Sequence, residues 1–439
     1  MSARNRELLA LVPASFLLTA GFAAIFIQQS EELSDVSLTY GAIFLLLCLG
    51  GHFVLRFTLP HADPYLFPLV AVLACFGLVV IYRIDETLAR EQAQWFVVGL
   101  VLFAAAIVFL RDFRVLERYR YTIALAGLLL LFLPRVPGIG QQVNGAYLGV
   151  SLGPIAFQPA EFGKIAIIIF LAAYLRDTRQ VIVQGSRRFL GLAIPPLKHL
   201  GPLLVVWGAA MFMLVFIRDL GSSLMYFGGF LALLYVATNR ASFVAIGLVM
   251  FGVGAWFFAN TVSHVQDRVD IWLDPFNPEW VEEEGYQIAQ SVFAQADGGL
   301  FGTGFGASLL RGPGGETLIP APHTDLIYAV TVNEVGLVGA CGLLLVYLLL
   351  IQRGFKTAMI SSDSFSKLLA TGLTAVFALQ VFVIVGGVTR VIPLTGVTLP
   401  FVSYGGSSIL ANFVLVALLL LVSDRARRPQ GAEPTRGLR

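Results

Sequence analysis

Pro322-His323-Thr324-Asp325 closes a polar stretch that begins near residue 261, and Leu326-Ile327-Tyr328-Ala329-Val330 then opens an apolar run. A carboxylate at the lip of a membrane helix is costly unless it faces a polar cavity or a partner, and in such a place it can take up a proton. The same aspartate would also serve as a helix N-cap, and the residue type alone leaves both readings open. A second constellation is Gln158-Pro159-Ala160-Glu161-Phe162-Gly163-Lys164. Pro159 suits the first turn of a helix, and Glu161 and Lys164, three apart, share one helical face. They form either a mutually neutralising pair at the edge of the hydrocarbon or a pair turned to a substrate. The third is residues 386–408, where Pro393, Pro400 and five glycines interrupt an apolar sequence. Such backbone survives in a membrane only when buried in protein or lining a polar cavity. Its end, Ser403-Tyr404-Gly405-Gly406-Ser407-Ser408, reads as a phosphate-cradling turn or as a seam of small residues between helices.

The elements that must position these groups are membrane helices. Apolar residues make up 57% of the 439 and charged residues 13%, about half the charged share of soluble domains. The expected fold is an all-α polytopic membrane protein, with apolar runs near 9–28, 38–56, 65–82, 93–110, 120–134, 161–175, 201–217, 220–238, 241–260, 325–351, 368–388 and 404–423. Most are close to the roughly 20 residues that cross about 30 Å of hydrocarbon. With twelve spans, arginine and lysine concentrate on the side of both termini, which places the termini in the cytoplasm and residues 261–324 outside as a large loop before span ten. That loop is acidic, with Glu282-Glu283-Glu284 among its charges, which argues against a nucleic-acid partner. The run after Arg4 and Arg6 reads as a retained signal anchor. Pro60 and Pro64 separate a two-helix segment, residues 1–60, from a core at 61–424, and residues 425–439 read as a disordered basic tail. Cys48, Cys75 and Cys341 lie in apolar spans without CxxC pairing, and the five histidines are scattered, so no transition-metal site is expected.

Taken together, the motifs resemble the SEDS family (shape, elongation, division and sporulation), the RodA and FtsW type of peptidoglycan glycosyltransferases. They run in order through Gln158-Pro159-Ala160-Glu161, Asp219-Leu220-Gly221-Ser222-Ser223, Gly285-Tyr286-Gln287, Gly302-Thr303-Gly304, His323-Thr324-Asp325, Glu334-Val335-Gly336, and Leu399-Pro400-Phe401-Val402-Ser403-Tyr404-Gly405-Gly406-Ser407-Ser408. The resemblance covers about residues 64–424. It implies a ten-helix core, to which the first two helices are an accessory addition. It also implies that Asp325 is the catalytic base and that Glu161, Lys164, His323, Thr324, Ser403, Tyr404 and Ser407 line the substrate site, with Arg218 a further cation. The chain departs from the family pattern at Tyr147-Leu148, where a basic residue and tryptophan are usual, at Arg218 in place of a proline, and at Asn333.

The reaction so implied polymerises lipid II into β-1,4 glycan with release of undecaprenyl diphosphate, inverting the donor's anomeric centre, during cell elongation or division. Asp325 would take the proton of the attacking hydroxyl, and Lys164, oriented by Glu161, would offset the charge of the leaving diphosphate, with Arg218 and Arg311 as weaker candidates. A divalent cation, Mg or Mn, is expected through the substrate diphosphate and not in a protein cage, and no organic cofactor is expected. The expected partners are lipid II, the growing glycan strand, membrane lipid and a class B penicillin-binding protein, and the expected location is the bacterial plasma membrane. Buried charges and broken helices would also suit a transporter of lipid-linked sugars.

Overall fold

The computed structural model describes residues 2–30, 35–143, 146–152, 155–184, 187–189, 192–194, 208, 216, 219–261, 263–283, 285–308 and 318–429. Arg218, Arg311, the expected span at 201–217 except residues 208 and 216, and residues 430–439 lie outside this set.

The chain is a bundle of long helices. In order they are α1 (Ala3–Ser30), α2 (Asp35–Thr58), α3 (Leu66–Ile84), α4 (Glu86–Phe109), the single turn α5 (Val115–Arg118), α6 (Arg120–Phe132), α7 (Pro159–Gln184), α8 (Leu220–Thr238), α9 (Ala241–Thr261), α10 (Ser263–Leu273), α11 (Tyr286–Gly298), α12 (Ile327–Ile360), α13 (Ser364–Val388) and α14 (Gly406–Arg427). Among the described residues, nine helices are long and apolar enough to cross a membrane. The expected runs at 120–134 and 161–175 are present as α6 and α7 but fall outside that nine. α6 has only 13 residues, and α7 carries Glu161, Lys164, Arg176, Asp177 and Arg179 along its length. The protein is a multi-pass membrane protein.

Aspartates set several helix starts. Asp85 accepts from the backbone N–H groups of Thr87 and Leu88, at 2.7 and 3.1 Å, so that α3 ends and α4 begins around one residue. Asp219 does the same for α8 through Ser222, and Asp363 for α13 through Ser366. Each satisfies N–H groups that a helix start leaves unpaired. α13 and α14 are largely buried at the centre, whereas α9 exposes almost its whole surface, as expected of a lipid-facing helix.

Three segments differ from the sequence expectation. The turn-rich stretch between α6 and α7 folds as a small antiparallel sheet, β1 (Gly140–Val143), β2 (Ala146–Leu152) and β3 (Ile155–Phe157), and a second pair, β4 (Arg187–Phe189) and β5 (Leu192–Ile194), follows α7. Glycine spacing hid the alternation of a strand. The long polar loop contains two helices, α10 and α11, and is tied down on the bundle. α14 continues through Arg427, because Asp424 is buried and bonded to Arg428 and to the backbone of His61, while Arg427 pairs with Asp63. The basic cluster at 425–428 is thus a docked helix end.

α12 is broken at Gly336, where φ is 69° and ψ −177°. Its first turns, next to Asp325, are offset from the rest by the loop that follows α11. Thr303 and Gly304 donate to the carbonyls of Asn333 and Glu334, and Leu337 and Val338 donate to those of Gly299 and Leu300. The approach is so close that a Cβ on Gly336 would sit 2.4 Å from the Gly302 nitrogen and the Leu300 oxygen. Only glycine fits that position. Arg83 of α3 closes the junction, donating to the carbonyls of Gly306 and Ser308 and standing 3.6 Å from the Glu334 carboxylate.

Candidate active site

Asp325 lies two residues before α12, whose N-cap position is Leu326 and has no side-chain cap. Its carboxylate therefore does not serve as the N-cap, and it forms no hydrogen bond among the described residues. Two backbone segments hold it in place. Ser403 Oγ donates to the Thr324 carbonyl at 2.8 Å and accepts from the Leu399 N–H at 2.9 Å, while the Tyr404 N–H donates to the His323 carbonyl at 2.8 Å. The His323 ring meets Tyr404 edge-on with centroids 5.8 Å apart. Gln92 of α4 fixes the same segment from behind, donating to the Ser403 carbonyl at 3.2 Å and accepting from the Gly405 N–H at 3.1 Å. The Tyr404 hydroxyl is bonded to Glu91.

The broken backbone at 389–405 passes directly beside the carboxylate. Gly396, at φ 72°, brings its main chain so near that a Cβ there would stand 3.9 Å from Asp325 Oδ2. The first turn of α8 packs on the same stretch at Thr395 and Val397, which brings Asp219 into the site. A third element, α10, is stitched along it. Trp272 Nε1 donates to the Arg390 carbonyl at 2.9 Å, Arg390 donates back to the Trp272 and Leu273 carbonyls, and Arg268 Nη1 donates to the Leu394 carbonyl at 3.2 Å. Arg268 and Trp272 stand four apart on one helical face. A cavity of about 420 Å³, lined by Trp272, Gln295, Thr389 and Arg390 among others, opens at this seam.

The site has one prominent electrostatic arrangement. Burial pushes the Asp325 carboxyl up to about 6, against the opposing pull of the Arg268 guanidinium. Burial also raises Asp219, while its bonds to Ser222 and the field of Arg268 act the other way. Arg268 itself is lowered by burial and held by the two carboxylates; a guanidinium keeps its charge through such a shift. A carboxylate pushed toward neutrality by burial and within the field of a cation is suited to general-base work.

The remaining candidates fall into two groups. His323, Thr324, Ser403 and Tyr404 surround Asp325, mainly through backbone bonds. Ser407 Oγ accepts from the Gln158 N–H at 2.8 Å, joining the start of α7 to the start of α14. Glu161 and Lys164 lie inside the bundle, both buried. Lys164 Nζ donates to Glu161 Oε2 and to Gln380 Oε1, each at 2.6 Å, and Gln380 Nε2 donates to the Thr398 carbonyl at 2.9 Å. The pair therefore braces the broken backbone from below, and the Glu161 charge acts on Asp219. Arg268 and Gln92 were not among the candidates read from the sequence. Arg268 is one of only two basic residues in an acidic loop, which was the one available signal.

A helical membrane bundle with a buried carboxylate in the field of an arginine, beside broken backbone, defines a multi-pass membrane protein with a candidate active site. The chain belongs to the cell cycle protein family named for FtsW, RodA and SpoVE, which matches residues 64–428. It is 41% identical to the peptidoglycan glycosyltransferase RodA of Mycobacterium tuberculosis over 98% of this chain and 92% of that protein. It is 30% identical to the stage V sporulation protein E of Bacillus subtilis over 82% of this chain and 93% of that one. Among solved structures it resembles a chain of a peptidoglycan synthase complex that coordinates polymerization and crosslinking, with a TM-score of 0.67 and 28% identity over 84% of this chain and 99% of that one. The rod shape determining protein RodA of Thermus thermophilus follows, with a TM-score of 0.58 and 26% identity over 84% of this chain and 98% of that one.

Proposed function

We propose that this chain is a peptidoglycan glycosyltransferase that polymerises lipid II, with Asp325 as its general base. The observation that carries the reading is the Asp325 carboxylate, free of hydrogen bonds among the described residues, pushed up to about 6 by burial and set against Arg268. Asp325 accepts the proton of the acceptor sugar's 4-hydroxyl as that oxygen bonds to the donor's anomeric carbon. The bond from that carbon to the diphosphate breaks, and its electron pair leaves with undecaprenyl diphosphate. A single displacement inverts an α donor into a β-1,4 link. Such a base contributes typically about 10²- to 10⁴-fold.

The leaving diphosphate needs positive charge. Among the described residues Arg268 is the cation whose field acts on the base, and we assign it the place at the reacting centre expected of Lys164, whose role becomes that of bracing Glu161, Gln380 and Thr398. Among the described residues no group of three or more histidine, cysteine, aspartate or glutamate side chains could hold a metal. Asp325 and Asp219 are hard carboxylate donors in the field of Arg268, and an ion there would take most of its ligands from substrate oxygens. A divalent cation bound this way, Mg or Mn, would neutralise diphosphate charge.

The arginine-rich ends of the helices support an orientation with both termini on the cytoplasmic side of a bacterial plasma membrane and Asp325 outside. Similarity to the mycobacterial RodA spans the N-terminal pair as well as the core, which supports grouping the chain with RodA. Likeness to a chain from a complex of polymerization and crosslinking supports a class B penicillin-binding protein as partner.

The test is Asp325→Asn in purified protein with labelled lipid II. It keeps shape and removes proton affinity, so glycan synthesis stops while thermal stability and lipid II binding stay near wild type. A stable Asp325→Asn enzyme that makes normal polymer overturns the assignment. A wild type that makes no glycan yet moves lipid II across liposomes overturns the polymerase reading as a whole.

A further inference from the structure

The far end of α7 carries a second polar site. Asp177 lies 16 residues beyond Glu161, about 24 Å along the helix, so this end is remote from Asp325. There a cavity of about 400 Å³ is lined by Arg114, Glu117, Arg118, Arg120, Tyr121 and Asp177. Its acidic members are already matched. Asp177 pairs with Arg120, which also donates to the Ala173 carbonyl at 3.2 Å, and Glu117 pairs with Arg176, outside the lining. Arg114 stands 3.5 Å from Asp363. Arg118 has no acidic partner among the described residues; its guanidinium lies 5.9 Å over the Tyr119 ring.

The rim is apolar. Tyr119 and Tyr121 are more than half exposed, as are Leu125 and Leu129 on the next turns of α6. In a multi-pass membrane protein such a face meets acyl chains, and tyrosines at its edge mark the headgroup level. Unmatched positive charge at the headgroup level, continuous with a lipid-facing helix, suits a ligand that is anionic at one end and apolar at the other. A soluble anion would use the arginines and leave the apolar rim unexplained.

We propose that this cavity binds an anionic phospholipid, its headgroup phosphate held by Arg114 and Arg118 and its acyl chains lying along Leu125 and Leu129 of α6. The ion pairs of Arg120 with Asp177 and of Arg176 with Glu117 hold the cavity open, and Arg118 is the residue that the lipid neutralises. The proposal is independent of the chemistry at Asp325.

Native mass spectrometry of the full chain in detergent, titrated with dioleoylphosphatidylglycerol, tests it. Arg118→Ala lowers affinity about fivefold, the equivalent of about 1 kcal/mol for one basic residue near an anionic surface, and Arg114→Ala with Arg118→Ala lowers it about 25-fold on the same basis. Arg56→Ala on α2, whose side chain bonds to Asn5 alone among the described residues, leaves affinity unchanged. Dioleoylphosphatidylethanolamine, with the same tails, binds at least about tenfold more weakly. Equal retention of phosphatidylglycerol by wild type and Arg118→Ala overturns the proposal, as does equal binding of the two lipids. Displacement of phosphatidylglycerol by millimolar inorganic phosphate also overturns it, by making this a site for the free anion. Should the double variant fail to fold, Arg118→Ala alone decides, since that side chain has no ion pair to lose among the described residues.

Discussion

Replacing Arg268 with glutamine separates two jobs that the guanidinium does at once. It opposes the burial that drives the Asp325 carboxyl up to about 6, and it supplies positive charge to the reacting centre. At pH 7 a base of pKa about 6 is about 90% ionised, and an opposite charge at close range typically shifts a carboxylate by about 1 to 3 units. Losing Arg268 should move the acid limb of kcat/KM upward by at least about 1 unit. At pH 7 that leaves about half of Asp325 ionised, or about a tenth if the shift is about 2 units, and raising the pH to about 9 restores it. Loss of an electrostatic donor to the transition state costs about 10² to 10³ in kcat and is not restored by pH. Glycan chains made from labelled lipid II between pH 5 and 9, for wild type and Arg268→Gln, give both quantities. The wild-type limb should lie near 6. If the variant's limb stays there, the field of Arg268 does not act on Asp325. Stability runs the opposite way. Because the folded pKa of Asp325 is raised above 3.8, the protonated form is favoured by the fold, and its contribution is lost as pH rises from about 4 through about 6.

Two further outcomes follow from buried contacts. Lys164→Ala should destabilise the protein by about 3 to 5 kcal/mol, because the Glu161 carboxylate is left buried without its cation. Adding Glu161→Gln should recover most of that loss in thermal unfolding, and a single variant as stable as wild type would show that the pair does not brace the bundle. Gly336→Ala places a Cβ 2.4 Å from backbone atoms at a positive φ, so it should cost more than the roughly 1 to 2 kcal/mol of the conformation alone. It should also slow polymerisation, by shifting the half-helix next to Asp325; unchanged turnover in a folded variant would count against that coupling.

Much of this protein is written locally. Apolar runs of membrane-spanning length specify the helices, because a segment in hydrocarbon must satisfy its own backbone. Asp325 is legible as a functional group because a charge beside an apolar run needs a reason, and residues 386–408 are legible as broken because proline and glycine cannot continue a helix there. Helices that are apolar all round carry no stripe to say which face meets which neighbour. The bond from Lys164 on α7 to Gln380 on α13, and that from Gln92 on α4 to Ser403, are for that reason invisible before the bundle is packed. The same holds for Asp325, whose residue type is equally good as a cap; only the packed structure, which puts Leu326 at the N-cap of α12 and lays residues 389–405 against the carboxylate, decides between them. Arg268 joins the site because α10 is stitched to residues 390–394 by hydrogen bonds between groups more than a hundred residues apart. Local sequence sets which groups are available, and the tertiary structure, by choosing which are left dry and which are paired, decides which of them can do chemistry.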